Sequence, residues 1–240
     1  IIPIPSAEKE ITLNVDVKER WYILPLPDGG IDDGEWKKVW VGLNLRWDNF
    51  RGRNERVNLG FKAFYNPAIS ASYYVPWIGE KLHLFMGIGG SWQRNRNISL
   101  EAVGRNNGGN TITYNDENYE NTLYRGELTL GRYFGKHFSV FTDYKYNYLR
   151  VSVYRPGRTL STDGSDSYLT LGTGVSYDTR DLYEYATKGV YFRTSISHSG
   201  FIDKEIDFGR FSLENQSFIP LYLKNDYYIT VATKLNTSFS

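Results

Sequence analysis

Tyr124-Arg125-Gly126-Glu127-Leu128-Thr129-Leu130 is the stretch that decides the fold. Tyr124, Gly126, Leu128 and Leu130 share one parity, and Arg125, Glu127 and Thr129 share the other. A β-strand sends successive side chains to opposite faces, so the segment has one apolar and one charged face. The next segment repeats the pattern, with Phe138, Val140, Tyr144, Tyr146 and Tyr148 on one parity and Ser139, Asp143, Lys145 and Asn147 on the other. A soluble sandwich also alternates, but it buries its apolar parity. Here that parity is loaded with Tyr and Trp, and turn signals separate strands of roughly ten residues, the pattern of a barrel with lipid outside and water inside.

Composition agrees. The chain of 240 residues is 16% aromatic, with 20 Tyr and 6 Trp. These rings have an apolar body and a hydrogen-bonding tip, which suits the two interfacial girdles of a membrane barrel. The mean hydropathy of −0.48 is compatible with a membrane, because only every second strand residue meets lipid. No apolar run approaches the roughly 20 residues of a spanning helix, so a membrane crossing requires a closed barrel. A net charge of +1 carries no nucleic-acid footprint. The absence of cysteine excludes disulfides and thiolate metal sites. Ile1 opens the sequence with no basic region or apolar core of a signal peptide, as expected of a mature chain or of one whose beginning is missing.

Ile11 to Trp21 reads as one alternating strand, with Ile11, Leu13, Val15 and Val17 against Thr12, Asn14, Asp16 and Lys18. Its aliphatic parity suits a small soluble domain. Trp21–Leu26 continues with Pro25 and Pro27, which suit an edge strand, and Asp28–Gly34 reads as a turn region. The barrel strands are expected at Val39–Trp47, Glu55–Tyr65, Ala68–Val75, Lys81–Gln93, Thr122–Phe134, His137–Tyr154, Ser167–Thr179, Gly189–Ser199, Phe208–Pro220 and Tyr227–Phe239. The lipid-facing sets include Val41, Leu43 and Leu45; Val57, Leu59 and Phe61; Ile69, Ala71, Tyr73 and Val75; Leu82, Leu84, Met86 and Ile88. Later sets are Leu169, Leu171 and Val175; Val190, Phe192 and Ile196; Ile229, Val231 and Leu235. Asn215 interrupts the apolar parity of Phe208–Pro220 and suggests a bulge or a different span there. Connections alternate between short, as at Gly135-Lys136, and long and polar, as at Asn95–Asn121 and Arg155–Asp166. The Gly108-Gly109 pair reads as a loop tip.

Several local motifs occur in a telling order: Asp48-Asn49-Phe50-Arg51-Gly52-Arg53-Asn54-Glu55; Tyr73-Tyr74-Val75-Pro76-Trp77; Tyr177-Asp178-Thr179-Arg180-Asp181 with Ala186-Thr187-Lys188-Gly189; and Phe218-Ile219-Pro220-Leu221. The set resembles the BamA/TamA surface-antigen superfamily of outer-membrane barrels. Val17-Lys18-Glu19-Arg20-Trp21-Tyr22 resembles that family's junction between the last periplasmic POTRA domain and the barrel, in the version of Bacteroidetes-type members. Ala186 stands where the family often has Pro, and Asn54 where it often has a second Gly. The resemblance implies an all-β antiparallel transmembrane barrel. It divides the chain into the end of a POTRA-like domain at 1–22 and barrel strands at 23–240. Family barrels have roughly sixteen strands, so ten or eleven here imply a portion of a larger protein.

Asp178, Arg180 and Asp181 are the most chemical-looking cluster. With Tyr177 and Gly189 they read as a strand end in which Arg180 pairs with a carboxylate and holds a turn, rather than as a catalytic or metal site. His83, His137 and His198 have no ligand spacing, and no Ser/His/Asp arrangement or Gly-Lys-Ser/Thr loop occurs. Gly52 supplies turn freedom and Asn49, next to Phe50, a loop hydrogen bond. Arg125, Glu127, Asp143, Lys145, Arg193, Glu214 and Lys234 form a solvated, mutually compensating barrel interior, or else a surface for a translocating polypeptide.

The resemblance implies an insertase or translocase without enzymatic activity or cofactor. Its location is the bacterial outer membrane, with the amino-terminal part periplasmic and the long loops extracellular. Implied partners are outer-membrane lipids and lipopolysaccharide, nascent outer-membrane proteins and accessory lipoproteins, and no nucleic acid. Two other readings stay open: an anchor or secretion barrel for a fused patatin-like or phosphoesterase-like enzyme, and a passive pore.

Overall fold

The computed structural model describes residues 2–5, 11–14, 21–79, 81–96, 101–105, 111–115, 119–154, 158–182, 185–203, 205–222 and 228–239. Its strands are β1 (Ile2–Pro5), β2 (Ile11–Asn14), β3 (Ile23–Ile31), β4 (Val39–Phe50), β5 (Glu55–Phe64), β6 (Ala68–Ile78), β7 (Leu84–Arg96), β8 (Glu101–Arg105) and β9 (Thr111–Asn115). They continue with β10 (Glu120–Phe134), β11 (Phe138–Val151), β12 (Ser165–Asp178), β13 (Gly189–Gly200), β14 (Phe208–Tyr222) and β15 (Tyr228–Phe239). Eleven of them form one open sheet in the order β15-β14-β13-β12-β11-β10-β7-β6-β5-β4-β3. Each neighbouring pair is antiparallel. β1 pairs with β2, and β8 with β9, in two separate two-stranded sheets.

The register keeps the two parities on two faces. One row runs Trp47, Val57, Tyr73, Ile88, Leu128, Tyr144, Leu171 and His198. The row behind it runs Arg56, Tyr74, Gly87, Thr129, Asp143, Gly172, Ser197 and Arg210. Among the described residues nothing covers the first face: Ile196 is 62% exposed, Leu235 56% and Phe61 55%. A water-soluble sandwich would bury these side chains at roughly 1.5–3 kcal/mol each; here only lipid can take them. Threonines on this outer face bond their hydroxyls to backbone carbonyls across the strand boundary. Thr173 donates to Phe141 O at 3.1 Å and Thr194 to Ser212 O at 3.2 Å, which avoids the cost of a bare hydroxyl in hydrocarbon.

Several strand expectations need correction. Only the second half of Asp28–Gly34 turns, as a 3-10 turn at Asp32–Gly34; β3 runs through Asp28-Gly29-Gly30 to Ile31. Trp40 lies across these glycines, and a Cβ on Gly30 would stand 3.3 Å from its indole, so ring contact replaces what β-branched residues would contribute. The turn comes later, where Asp32 Oδ1 accepts from Trp40 Nε1 at 3.0 Å. β7 begins at Leu84 rather than Lys81, because His83 turns at φ 50°; Leu82 therefore lies in a turn. The long connection between β7 and β10 contains β8 and β9, while Gly108-Gly109 falls outside the described residues. Of Ile11–Trp21, only Ile11–Asn14 is a described strand; residues 15–20 lie outside the description and Trp21 is in no strand. β14 carries no bulge against β13 or β15. Asn215 stays on the outer face between Phe192 and Leu235, where its Oδ1 accepts from Ser217 Oγ at 3.2 Å. The register shifts fall instead between Trp47 and Phe50, and between Val75 and Ile78; Val75 stays in the outer row opposite Met86 but is only 8% exposed.

The connections alternate between two ends. The pairs β4/β5, β6/β7, β10/β11, β12/β13 and β14/β15 are joined at the near end, where the chain passes into β3; β3/β4, β5/β6, β7/β10, β11/β12 and β13/β14 are joined at the far end. The short-and-long rule holds for most, but 65–67 is short and 179–188 long for its side.

Candidate functional site

The free backbone edge of β3 is the first place where the sheet can act. Asp48 N donates to Tyr22 O at 2.8 Å, so the even residues of this strand direct their backbone groups to β4. Ile23, Pro25, Pro27, Gly29 and Ile31 direct theirs to the free edge. Pro25 and Pro27 have no N–H, and the Gly29 N–H is taken by Asp28 Oδ1 at 2.8 Å. Between Ile23 and Ile31 the edge therefore offers carbonyl acceptors and no free donor. A strand laid there gains only the bonds it donates itself.

A turn beside that edge is held by charge. β4 ends in a loop with Asn49, Arg51, Gly52 and Asn54 at φ of 53°, 57°, 69° and 56°. Asn49 Oδ1 accepts the Asn54 N–H at 2.8 Å. Glu55 is 1% exposed; its carboxylate accepts from Arg51 Nε at 2.9 Å, Arg51 Nη2 at 3.1 Å and the Tyr73 hydroxyl at 2.7 Å. Phe50 packs edge-on against Trp47 and Tyr73, and Arg56 and Arg46 hold Asp48 at 2.7 and 3.0 Å. Sequence reading singled out Asn49, Phe50 and Gly52 and missed Glu55 and Tyr73. The signal was present: Glu55 is a carboxylate on the apolar parity of Val57, Leu59 and Phe61.

The second cluster closes the β12–β13 hairpin, also at the near end. Arg180 donates to Asp178 through Nη2 at 2.7 Å and Nε at 3.0 Å, and its guanidinium lies 4.5 Å from the Tyr191 ring centroid. Asp181 receives the Thr187 hydroxyl at 2.5 Å and the N–H groups of Thr187, Leu182 and Lys188 at 2.9, 3.0 and 3.3 Å. The Thr187 hydroxyl, with these backbone donors, holds the Asp181 carboxyl well below the usual carboxylate range against the opposing effect of desolvation. Gly189 sits at φ 107°, where a Cβ would meet Thr179 O at 2.3 Å, so only glycine fits. Tyr177, at the end of β12, is 45% exposed on the outer face and 6.2 Å from the His137 ring. Every acceptor of this cluster is engaged by the hairpin, so the arrangement positions a turn and presents no open site. Among the described residues no group of three His, Asp or Glu could hold a metal ion.

The interior charges are strung across neighbouring strands of the inner face. Glu127 lies opposite Lys145, and Arg125 opposite Asn147. Asp143 accepts from Thr129 Oγ1 at 2.6 Å and lies 3.9 Å from Arg193. Arg193 is paired across the strands with Glu214, which meets Lys234 at 3.6 Å and Gln216 Nε2 at 2.8 Å. Aromatic rings fill the spaces over interior glycines: a Cβ on Gly131 would stand 2.1 Å from Phe85, and one on Gly174 would stand 2.5 Å from Phe141. Phe85 leans on Tyr133, whose hydroxyl meets that of Tyr74 at 3.0 Å.

The sequence profile of the Omp85 superfamily domain matches residues 49–240. The chain belongs to the Omp85 superfamily. It is similar to the structure titled as BamA from Haemophilus ducreyi lacking POTRA domains 1–3, with a TM-score of 0.52 and 14% identity over 93% of this chain. The chain spans 42% of the length of that structure, and no curated protein matches it. The expected all-β antiparallel architecture and the expected superfamily are both met: eleven strands of an Omp85 sheet with a BamA-like barrel fold of the outer-membrane kind.

Proposed function

We propose that this Omp85 chain supplies the seam side of an insertase or translocase that assembles other outer-membrane β-proteins. The observation that carries the reading is the β3 edge, short of donors at Pro25, Pro27 and Gly29. An incoming strand must satisfy its backbone before it meets hydrocarbon, and an exposed sheet edge offers that by strand addition. A seam with half of its bonds missing opens more easily than a full ladder, at roughly 1 kcal/mol per bond. On this reading residues 1–22 end a POTRA-like periplasmic domain and 23–240 are barrel. The near end faces the periplasm and the far-end loops face the outside. Nascent outer-membrane proteins and accessory lipoproteins are the partners, and no catalytic side chain is required.

These 240 residues contain no cysteine, so a single cysteine introduced into them, in full-length protein freed of any cysteine elsewhere, reports one site. With Ile23→Cys or Ile31→Cys in the full-length protein, crosslinks to a cysteine in the terminal strand of a nascent outer-membrane protein are expected in one register. Depletion of the protein should lower folded outer-membrane proteins generally. No crosslink, with unchanged levels of those proteins, would overturn the reading in favour of an anchor or secretion barrel.

A further inference from the structure

We infer that the outer face at the far end carries a binding site for a phosphorylated glycolipid of the outer leaflet, built from Arg94, Arg96, Thr122 and Arg150. The inference rests on the orientation proposed above, because that leaflet is reached only if the far end is outside. The register sets the residues side by side. Trp92, Tyr124 and Tyr148 are neighbours on β7, β10 and β11, and the two tyrosine rings lie 6.0 Å apart. Two residues further along, Arg94, Thr122 and Arg150 form the next row on the same face. Beyond it, Arg96 stands opposite Glu120.

Depth and charge both suit a headgroup. A strand tilted about 40° gains roughly 2.5 Å of height per residue. Six residues from Leu128, in the middle of β10, to Thr122 therefore climb about 15 Å, just past the edge of an apolar band about 25 Å tall. The aromatic row stands at the border and the arginine row above it. One carboxylate serves two of the three guanidinium groups. Glu120 lies 3.1 Å from Arg96 Nε and 3.9 Å from Arg94 Nη1. Arg94 Nε and Arg96 Nε nevertheless complete no hydrogen bond. Arg150 is exposed and has no carboxylate partner among the described residues. Among the described residues the group therefore keeps two positive charges that Glu120 does not balance.

Arg94 and Arg150 lie two strands apart, about 10 Å between backbones. That spacing lets two planar guanidinium forks converge on one phosphate, with the Thr122 hydroxyl between them. A headgroup with more than one phosphate, or with sugar hydroxyls beside the phosphate, matches a patch that spans three strands. At the near end of the same face Arg132 lies alone over Phe134, 5.1 Å from its centroid, and serves as the control.

The test uses the full-length protein in detergent, where binding does not depend on membrane sidedness. Its failure is thereby separate from failure of the orientation or assembly reading. Wild type and the Arg94→Gln/Arg150→Gln and Arg132→Gln variants are titrated with bisphosphorylated lipid A, its dephosphorylated form and phosphatidylglycerol, with native mass spectrometry as the readout. Retention of lipid A by wild type, at least fivefold lower in the double variant and unchanged in Arg132→Gln, is expected, together with weak binding of the other two lipids. Equal retention by wild type and double variant would overturn the site. Equal binding of dephosphorylated lipid or phosphatidylglycerol would overturn the assignment of the ligand. Folding is checked by heat-modifiable migration; if the double variant does not fold, Arg150→Glu, at an exposed position, must show the same loss.

Discussion

A guanidinium placed on each face in turn separates the two roles of the sheet. Leu128 lies between Ile88 and Tyr144 on the outer face, near the middle of β10. With roughly 2.5 Å of height per residue, Leu130 lies about 5 Å from the midplane and Tyr124 about 10 Å. Leu128→Arg should therefore cost about 2–4 kcal/mol, Leu130→Arg somewhat less, and Tyr124→Arg about 0–1 kcal/mol. Thr129 is one residue away but faces Asp143, to which its hydroxyl donates at 2.6 Å. Thr129→Arg loses that bond and gains an ion pair in water, a net change within about 1 kcal/mol. The Leu128 and Thr129 variants should therefore differ by about 1–5 kcal/mol, which at 1.4 kcal/mol per decade is about fivefold to a few thousandfold in folding equilibrium. The measurement is reversible guanidinium unfolding of the full-length protein in lipid vesicles. Equal losses at Leu128 and Thr129, or no decline from Leu128 to Tyr124, would show that the faces or the depth are wrong.

Further outcomes follow from the turns and the interior. Gly189→Ala should destabilise the β12–β13 hairpin by about 1–3 kcal/mol, since φ is 107° and Thr179 O occupies the Cβ position; faster amide exchange at Val190 than in wild type checks it. Asp181 has a depressed folded pKa, so its contribution is full above the unfolded value of about 3.9 and fades as pH falls through the folded value. The melting difference between wild type and Asp181→Asn should thus be constant from pH 7 to about 4.5 and shrink below; a difference that grows on acidification would refute the hydrogen-bond account. Gly131→Ala should cost about 1–3 kcal/mol by displacing Phe85, and Phe85→Leu should relieve part of it, with a non-zero coupling in a double-mutant cycle. Glu55→Ala leaves Arg51 and Tyr73 without their acceptor and should cost about 1–3 kcal/mol, whereas Arg53→Ala, whose contact with Glu55 is 3.6 Å, should be nearly silent in the same vesicle unfolding measurement.

The elements that a local pattern specifies were legible in the chain. Alternation from β4 to β15 placed ten strands within a few residues, because period two is a property of the backbone and lipid rewards it at every second position. The errors lie where a contact from another strand replaces the local signal. Asp28-Gly29-Gly30 has turn composition, yet Trp40 from β4 covers it and keeps it extended. Asn215 looked like a bulge, yet Ser217 on the same strand meets its polar group without breaking the ladder. Glu55 stood out only as a charge on the wrong parity, and its meaning came from Arg51 in the turn and Tyr73 on β6.

By itself, the sequence determined the class of structure: an antiparallel, lipid-facing sheet with a charged interior, and the order of motifs that marks the superfamily. That information is local, one residue against its strand neighbours. Tertiary structure alone decided which strands adjoin and in what register, and so which groups share a face. It brought Arg94 and Arg150, on strands joined to opposite sides of β10, to flank Thr122. It also turned Pro25, Pro27 and the engaged Gly29 N–H toward the free edge rather than toward β4. Hydrogen-bond direction alternates along a strand, and only the first bond to a neighbour sets which half points out.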